Sequence, residues 1–179
     1  MSHPTAYENF KVIIEGSVYD ADLTGDVLVV NRSETMDLAI LARKYEIQFI
    51  LPPYDYVKGS IVVDASLAHL AEELLFHKED QAAAQVEIGL FFQTKKPLSS
   101  ENISNLTDYL HDIWGKERLI TINASDCYVN GMYQYTSQQM TISFNRVVTE
   151  DQADDLYELI HYCTSSLEIL VKKDFPFVK

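Results

Sequence analysis

The apolar positions of this chain change period in a fixed order, and the order is clearest in its C-terminal half. Residues 86–93 form a short, apolar, β-rich run. The segment 100–114 then places Ile103, Leu106, Leu110 and Ile113 three and four residues apart, with Tyr109 and Trp114 on the same stripe. That is the spacing of one buried helix face. Ser99 or Ser100 can cap this helix, and Gly115 suits its C′ position. Runs 119–129 and 132–146 flank Asn130-Gly131, two residues that tolerate positive φ, so the spacing predicts a type I′ hairpin. Thr149 and Gln152 have the separation of a capping box, and Leu156, Leu159, Ile160 and Cys163 carry a helical stripe onward. Ser165-Ser166 reads as the end of that helix and 167–171 as a last strand. Strand, helix, strand, strand, helix, strand is the βαββαβ order of a ferredoxin-like unit.

The N-terminal half predicts an α/β lobe. Residues 10–19 are rich in β-branched side chains (Val12, Ile13, Ile14, Val18) and read as a strand, with Gly16 as a bulge. A turn at 20–25 leads to a strand at 26–31. Ser33 can cap a helix over 34–44, with Glu34 and Asp37 in its first turns and Arg43 and Lys44 in its last, as the helix dipole favours. Residues 46–51 read as a strand ended by Pro52-Pro53, and 60–63 as a short one. A helix over 66–78, started by Ser66 or Asp64, buries Leu67, Leu70, Ala71, Leu74 and Leu75. The expected fold is thus α+β, a ferredoxin-like βαββαβ unit over 85–179 packed with an N-terminal α/β lobe over 1–84, the two forming either separate lobes or one continuous domain.

Charge narrows the function. The 179 residues carry 14 basic and 27 acidic side chains, a net charge of −13. The imbalance is steeper over 1–90 (6 basic against 15 acidic) than over 91–179 (8 against 12). Such a field repels nucleic acid and anionic membrane, which are bound through cations, and it speeds encounter with basic proteins. The first residues lack the basic and apolar regions of a secretory signal, and no apolar run approaches a membrane span. A cytoplasmic location is expected.

No catalytic or cofactor motif stands out. None of the six glycines has phosphate-loop or dinucleotide-fingerprint spacing. His69, Glu73 and His77 share one predicted helix face, but the two histidines are eight residues apart, about 12 Å along the axis, too far for one metal. Cys163 falls on an apolar stripe and reads as an inert core thiol, whereas Cys127 lies in a strand. A dispersed enzyme site would have to assemble from residues such as Asp108, His111, His161 and Cys127. No cofactor and no metal are expected.

Surface chemistry is more suggestive. Asp151, Asp154, Asp155 and Glu158 share the polar side of one helix, and Asp108 and Asp112 that of another. In a βαββαβ unit both helices cover one sheet face, so these carboxylates would form an acidic plateau. Of 11 tyrosines, Tyr128, Tyr133 and Tyr135 flank the hairpin tip. Tyr133 and Tyr135, two apart, are expected on one strand face. Tyr54 and Tyr56 bracket Asp55 in an expected loop. Tyrosine anchors interfaces well, through large apolar area and few rotors. The expectation is a non-enzymatic inhibitor that neutralises a basic protein partner, as a bacterial immunity protein does a nuclease toxin, with no nucleic acid or membrane partner. An open sheet edge would also admit a homodimer. The alternatives are a small enzyme with a dispersed His/Asp/Cys site and an inhibitor that mimics nucleic-acid charge.

Overall fold

The computed structural model describes residues 6–66, 83–144, 146–173 and 175–178. Helix α1 (Ala6–Thr24) is followed by strands β1 (Leu28–Asp37), β2 (Ala42–Leu51), β3 (Tyr54–Ala65) and β4 (Ala83–Thr94). Helix α2 (Ser100–Trp114), the hairpin β5 (Leu119–Val129) and β6 (Met132–Ser143), and the two-residue strand β7 (Val148–Thr149) come next. A 3-10 helix (Glu150–Glu158) then runs directly into helix α3 (Leu159–Lys172). The strands form one antiparallel sheet in the order β1-β2-β3-β4-β6-β5, with β7 on the start of β4. The architecture is mixed α+β.

Alternation sorts the sheet into two faces. Tyr45, Ile47 and Phe49 of β2, Ile61 and Val63 of β3, Ile88 and Leu90 of β4, and Met140 and Ile142 of β6 join one buried cluster with the helices. Their neighbours Lys58, Gln85, Glu87, Ser137 and Gln139 face outward and are exposed. At Gly59 helix and sheet approach closely. A Cβ there would lie 2.8 Å from the Phe49 ring and 3.3 Å from Leu167 of α3.

Several expectations are met. Ser99 caps α2 by accepting from the Asn102 N–H at 3.2 Å, and Gly115 ends it at φ 93°. Asn130 and Gly131 take φ 51° and 78° in the β5–β6 turn. The Thr149–Gln152 capping box forms, although its return bond from the Thr149 N–H is long at 3.5 Å.

Others are corrected. Residues 10–19 are helical, inside α1, because Phe10, Ile14 and Val18 stack at four-residue intervals on its buried face. Burying each such side chain yields about 1.5–3 kcal/mol, which exceeds strand-propensity differences of about 1 kcal/mol. The helix expected over 34–44 is instead the end of β1, a turn and the start of β2, with Glu34 opposite Tyr45 and Asp37 opposite Ala42. Residues 167–171 are not a strand but part of α3, whose buried stripe runs Leu159, Ile160, Cys163, Ser166, Leu167, Leu170. Ser166 does not break the helix: it is buried on that stripe, and its hydroxyl donates to the Tyr162 carbonyl one turn back at 2.8 Å, a bond compatible with helical backbone. Tyr54 and Tyr56 begin β3 and do not lie in a loop.

The C-terminal half runs β4, α2, β5, β6, β7, 3-10 helix and α3, without the final strand expected after the last helix. The place beside β4, opposite β6, is filled by β3. The division expected between residues 84 and 85 falls within β4, and one buried cluster spans both sides of it. The helix expected over 66–78, with His69, Glu73 and His77, lies beyond Ser66 outside the described residues.

Candidate functional site

Where α2 ends against the last helix, the chain leaves a cleft of about 570 Å³. Gly115 stops α2 immediately after Trp114, donating its N–H to the His111 carbonyl at 2.9 Å. The reversal brings Arg118 to the cleft, and the end of β6 brings Phe144 and Arg146. The opposite wall comes from Gln152, Asp155, Leu156 and Glu158 of the 3-10 helix and Tyr162 of α3.

The aromatic wall is fixed from behind. The Trp114 indole N–H donates to Ser166 Oγ at 2.8 Å, and Ser166 donates onward to the Tyr162 carbonyl. The Trp114 ring meets Phe144 edge-on at 6.1 Å and Tyr162 at 5.4 Å between centroids. Arg118 stacks its guanidinium on Phe144 at 4.6 Å, which holds the group by its face and leaves its in-plane N–H donors directed elsewhere. The Gln152 amide has two competing partners. With its oxygen toward Arg146 it accepts at 2.9 and 3.2 Å, shorter and charge-assisted, against 3.5 Å from the Thr149 N–H.

Asp112, Asp155 and Glu158 line the same cleft as Arg118 and Arg146. Among the described residues none of these five makes an ion pair. Asp151 and Asp154 continue the acidic side of the 3-10 helix, exposed like Asp155 and Glu158. Asp151 accepts from the Thr149 hydroxyl. The two tyrosines alongside, Tyr157 and Tyr162, are 51% and 46% exposed. The expected plateau is therefore divided, with Asp112 on one bank of a cleft and Asp155 and Glu158 on the other.

Acids near the N-terminus are used differently. Arg43 bridges Glu8 and Glu34 at 2.6 and 2.7 Å, and Lys11 bridges the same two at 2.9 and 3.1 Å. Arg43 also stacks on Tyr7 at 4.4 Å, Tyr7 donates to Glu34 at 3.2 Å, and Arg32 pairs with Glu15. The half of the chain with the larger negative charge thus spends several of its acids in clamping α1 to β1 and β2.

The tyrosine candidates separate into two places. Tyr54 packs on Tyr56 and Tyr56 on Phe177, at 5.9 and 5.0 Å, where the C-terminal segment joins β4 through Val178 N–H to Gln93 O. Asp55, Tyr56 and Lys58 line a second cleft of about 370 Å³ with Phe91. At the hairpin, a bulge at Gln134 sets Tyr133 opposite Tyr128 and Tyr135 opposite Cys127. The expected shared face of Tyr133 and Tyr135 is thereby corrected, since an extra residue breaks the alternation. Tyr133 instead packs with Tyr128 at 5.7 Å and bonds the Thr136 hydroxyl at 2.7 Å. The Tyr135 hydroxyl is pushed up, first by its hydrogen bond with the Cys127 thiol and then by that thiol's charge.

Asp108, His111, His161 and Cys127 line neither cleft. Burial pushes the Cys163 thiol far up. Among the described residues no three His, Cys, Asp or Glu side chains are grouped to hold a metal. No described helix is long and apolar enough to cross a membrane. Trp114, Arg118 and Arg146 escaped the sequence reading. Trp114 looked like core, and nothing local links two arginines 28 residues apart in the chain. No family model matches the chain, and no curated protein or solved structure is significantly similar to it.

Proposed function

We propose that the protein is a non-enzymatic, cytoplasmic binding protein that neutralises a basic protein partner. The observation that carries this is the acidic side of the 3-10 helix. Asp154, Asp155 and Glu158 are exposed and unpaired among the described residues, beside exposed Tyr157 and Tyr162. Unpaired surface carboxylates keep their full attraction for an incoming cationic surface, and tyrosines supply contact area once it arrives. A nuclease toxin is the partner whose chemistry fits best, because a surface that grips phosphates is itself basic. In this role the scaffold is a rearranged ferredoxin-like unit, with β3 standing in for the last strand.

The test is the association rate of a partner captured from the source cell, measured across salt for the wild type and for Asp154→Lys/Asp155→Lys. Association should slow by about tenfold or more at low salt and its salt dependence should flatten. Rates that ignore both salt and the charge reversal would sink the proposal.

A further inference from the structure

The cleft beside Trp114 has a charge pattern that a basic protein surface alone does not answer. Cations and anions line one half-open cleft of about 570 Å³ and, among the described residues, do not pair with each other. The volume lies in the range of small-molecule sites, about 300–1,000 Å³. A simple anion entering it would meet Asp112, Asp155 and Glu158. A simple cation would meet Arg118 and Arg146. A ligand bearing both signs answers both banks.

We propose that this cleft binds a zwitterion with an aromatic side chain, an aromatic α-amino acid or a dipeptide ending in one. Arg118 and Arg146 take the carboxylate. Arg118 suits this because its stack on Phe144 presets the guanidinium plane, and a preset fork loses little freedom on gripping a carboxylate. Asp155 and Glu158 receive the ammonium group. The ligand ring lies along Tyr162, which is 46% exposed and is backed by Trp114. Trp114 is 7% exposed and held by Ser166, so this wall is built before any ligand arrives. The site shares Asp155, Glu158 and Tyr162 with the surface proposed for a basic partner, and Arg118 and Arg146, which such a partner would avoid, set it apart, so loss of ligand binding in Arg146→Gln tests this site alone.

Trp114 is the sole tryptophan of the chain, so its emission reports on the cleft directly. The full-length protein is titrated with L-phenylalanine and with glycyl-phenylalanine, by Trp114 emission and by calorimetry. Phenylalaninamide, which lacks the carboxylate, and N-acetylphenylalanine, which lacks the cation, are titrated in parallel. A saturable response to one of the first two is expected, with both single-charge analogues weaker by about tenfold or more. The tighter of the first two identifies amino acid or dipeptide as the source. Arg118→Gln, Arg146→Gln and Asp155→Asn should each weaken binding by a similar factor. Arg146 and Asp155 are exposed, so those two variants remain decisive if Arg118→Gln does not fold. The proposal is overturned if neither zwitterion gives a saturable response, if the analogues bind as well, or if folded Arg146→Gln and Asp155→Asn bind like the wild type.

Discussion

The indole N–H of Trp114 donates to Ser166 Oγ at 2.8 Å, joining α2 to α3 across 52 residues of chain. Trp114 and Ser166 are both buried, so no water replaces either partner. Ser166→Ala would leave the indole donor unsatisfied, at a cost of about 1–3 kcal/mol. The expected result is a lower urea midpoint with an unchanged slope, together with a shift in Trp114 emission. An unshifted midpoint would show that the contact carries no stability.

Two glycines should respond to alanine with opposite signs. At Gly59 the new methyl collides with Phe49 and Leu167, so Gly59→Ala should destabilise by about 1–3 kcal/mol. Gly16 lies inside α1 with nothing within 4 Å of its Cβ position. Gly16→Ala should therefore stabilise, by about 0.5–1 kcal/mol, because alanine has less freedom to lose on entering a helix. Thermal melts of the two variants check both signs.

The network at Arg43 should make stability fall in acid. At Glu8 the hydrogen bond from Lys11 holds the carboxyl below its ordinary range, against a smaller upward push from burial. At Glu34 burial pushes up, but the hydrogen bonds from Lys11 and Arg43, with the charge of Lys11 and the Tyr7 hydroxyl, bring the net shift below the ordinary range. Both folded pKa values lie below the unfolded one, so their contribution is complete above the usual glutamate value of about 4.3 and is lost as pH falls through the folded values. Arg43→Gln should cost about 1 kcal/mol near neutrality, lessened by salt. It should also flatten the acid side of a midpoint-against-pH curve. A variant that keeps the wild-type acid limb would remove Arg43 from the account.

The two thiols should label in sequence. Cys163 is fully buried with its pKa raised by that burial, whereas Cys127 is half-buried in β5. Only thiolate attacks an alkylating reagent. Under native conditions one equivalent should react, mapped by mass spectrometry to Cys127, and the second only on unfolding. Early labelling of Cys163 would mean that α3 opens far more readily than its packing implies.

What the sequence determined by itself was local. Ser99, Gly115, Asn130-Gly131 and the Thr149–Gln152 box act on backbone groups within a few residues, so their chemistry can be read without knowing the fold. Where the outcome hung on distant neighbours, the local pattern pointed to a different element. The β-branched run of 10–19 resembled a strand, although Phe10, Ile14 and Val18 already held the helical spacing, and the buried face beneath α1 decided the matter. β1 is exposed almost throughout, so only its ladder with β2 distinguishes it from the expected capped helix. Ser166 has the composition of a breaker, and its contact with Trp114 made it part of a helix stripe.

Charge divides in the same way. Composition located the larger negative excess in the first half of the chain, and tertiary structure placed Glu8, Glu15 and Glu34 there against Lys11, Arg32 and Arg43. Asp155 and Glu158 of the 3-10 helix, in no ion pair among the described residues, line a cleft whose arginines come from two other segments. Coulombic attraction depends on separation in space, and the chain sets separation only over the span of a turn or a cap.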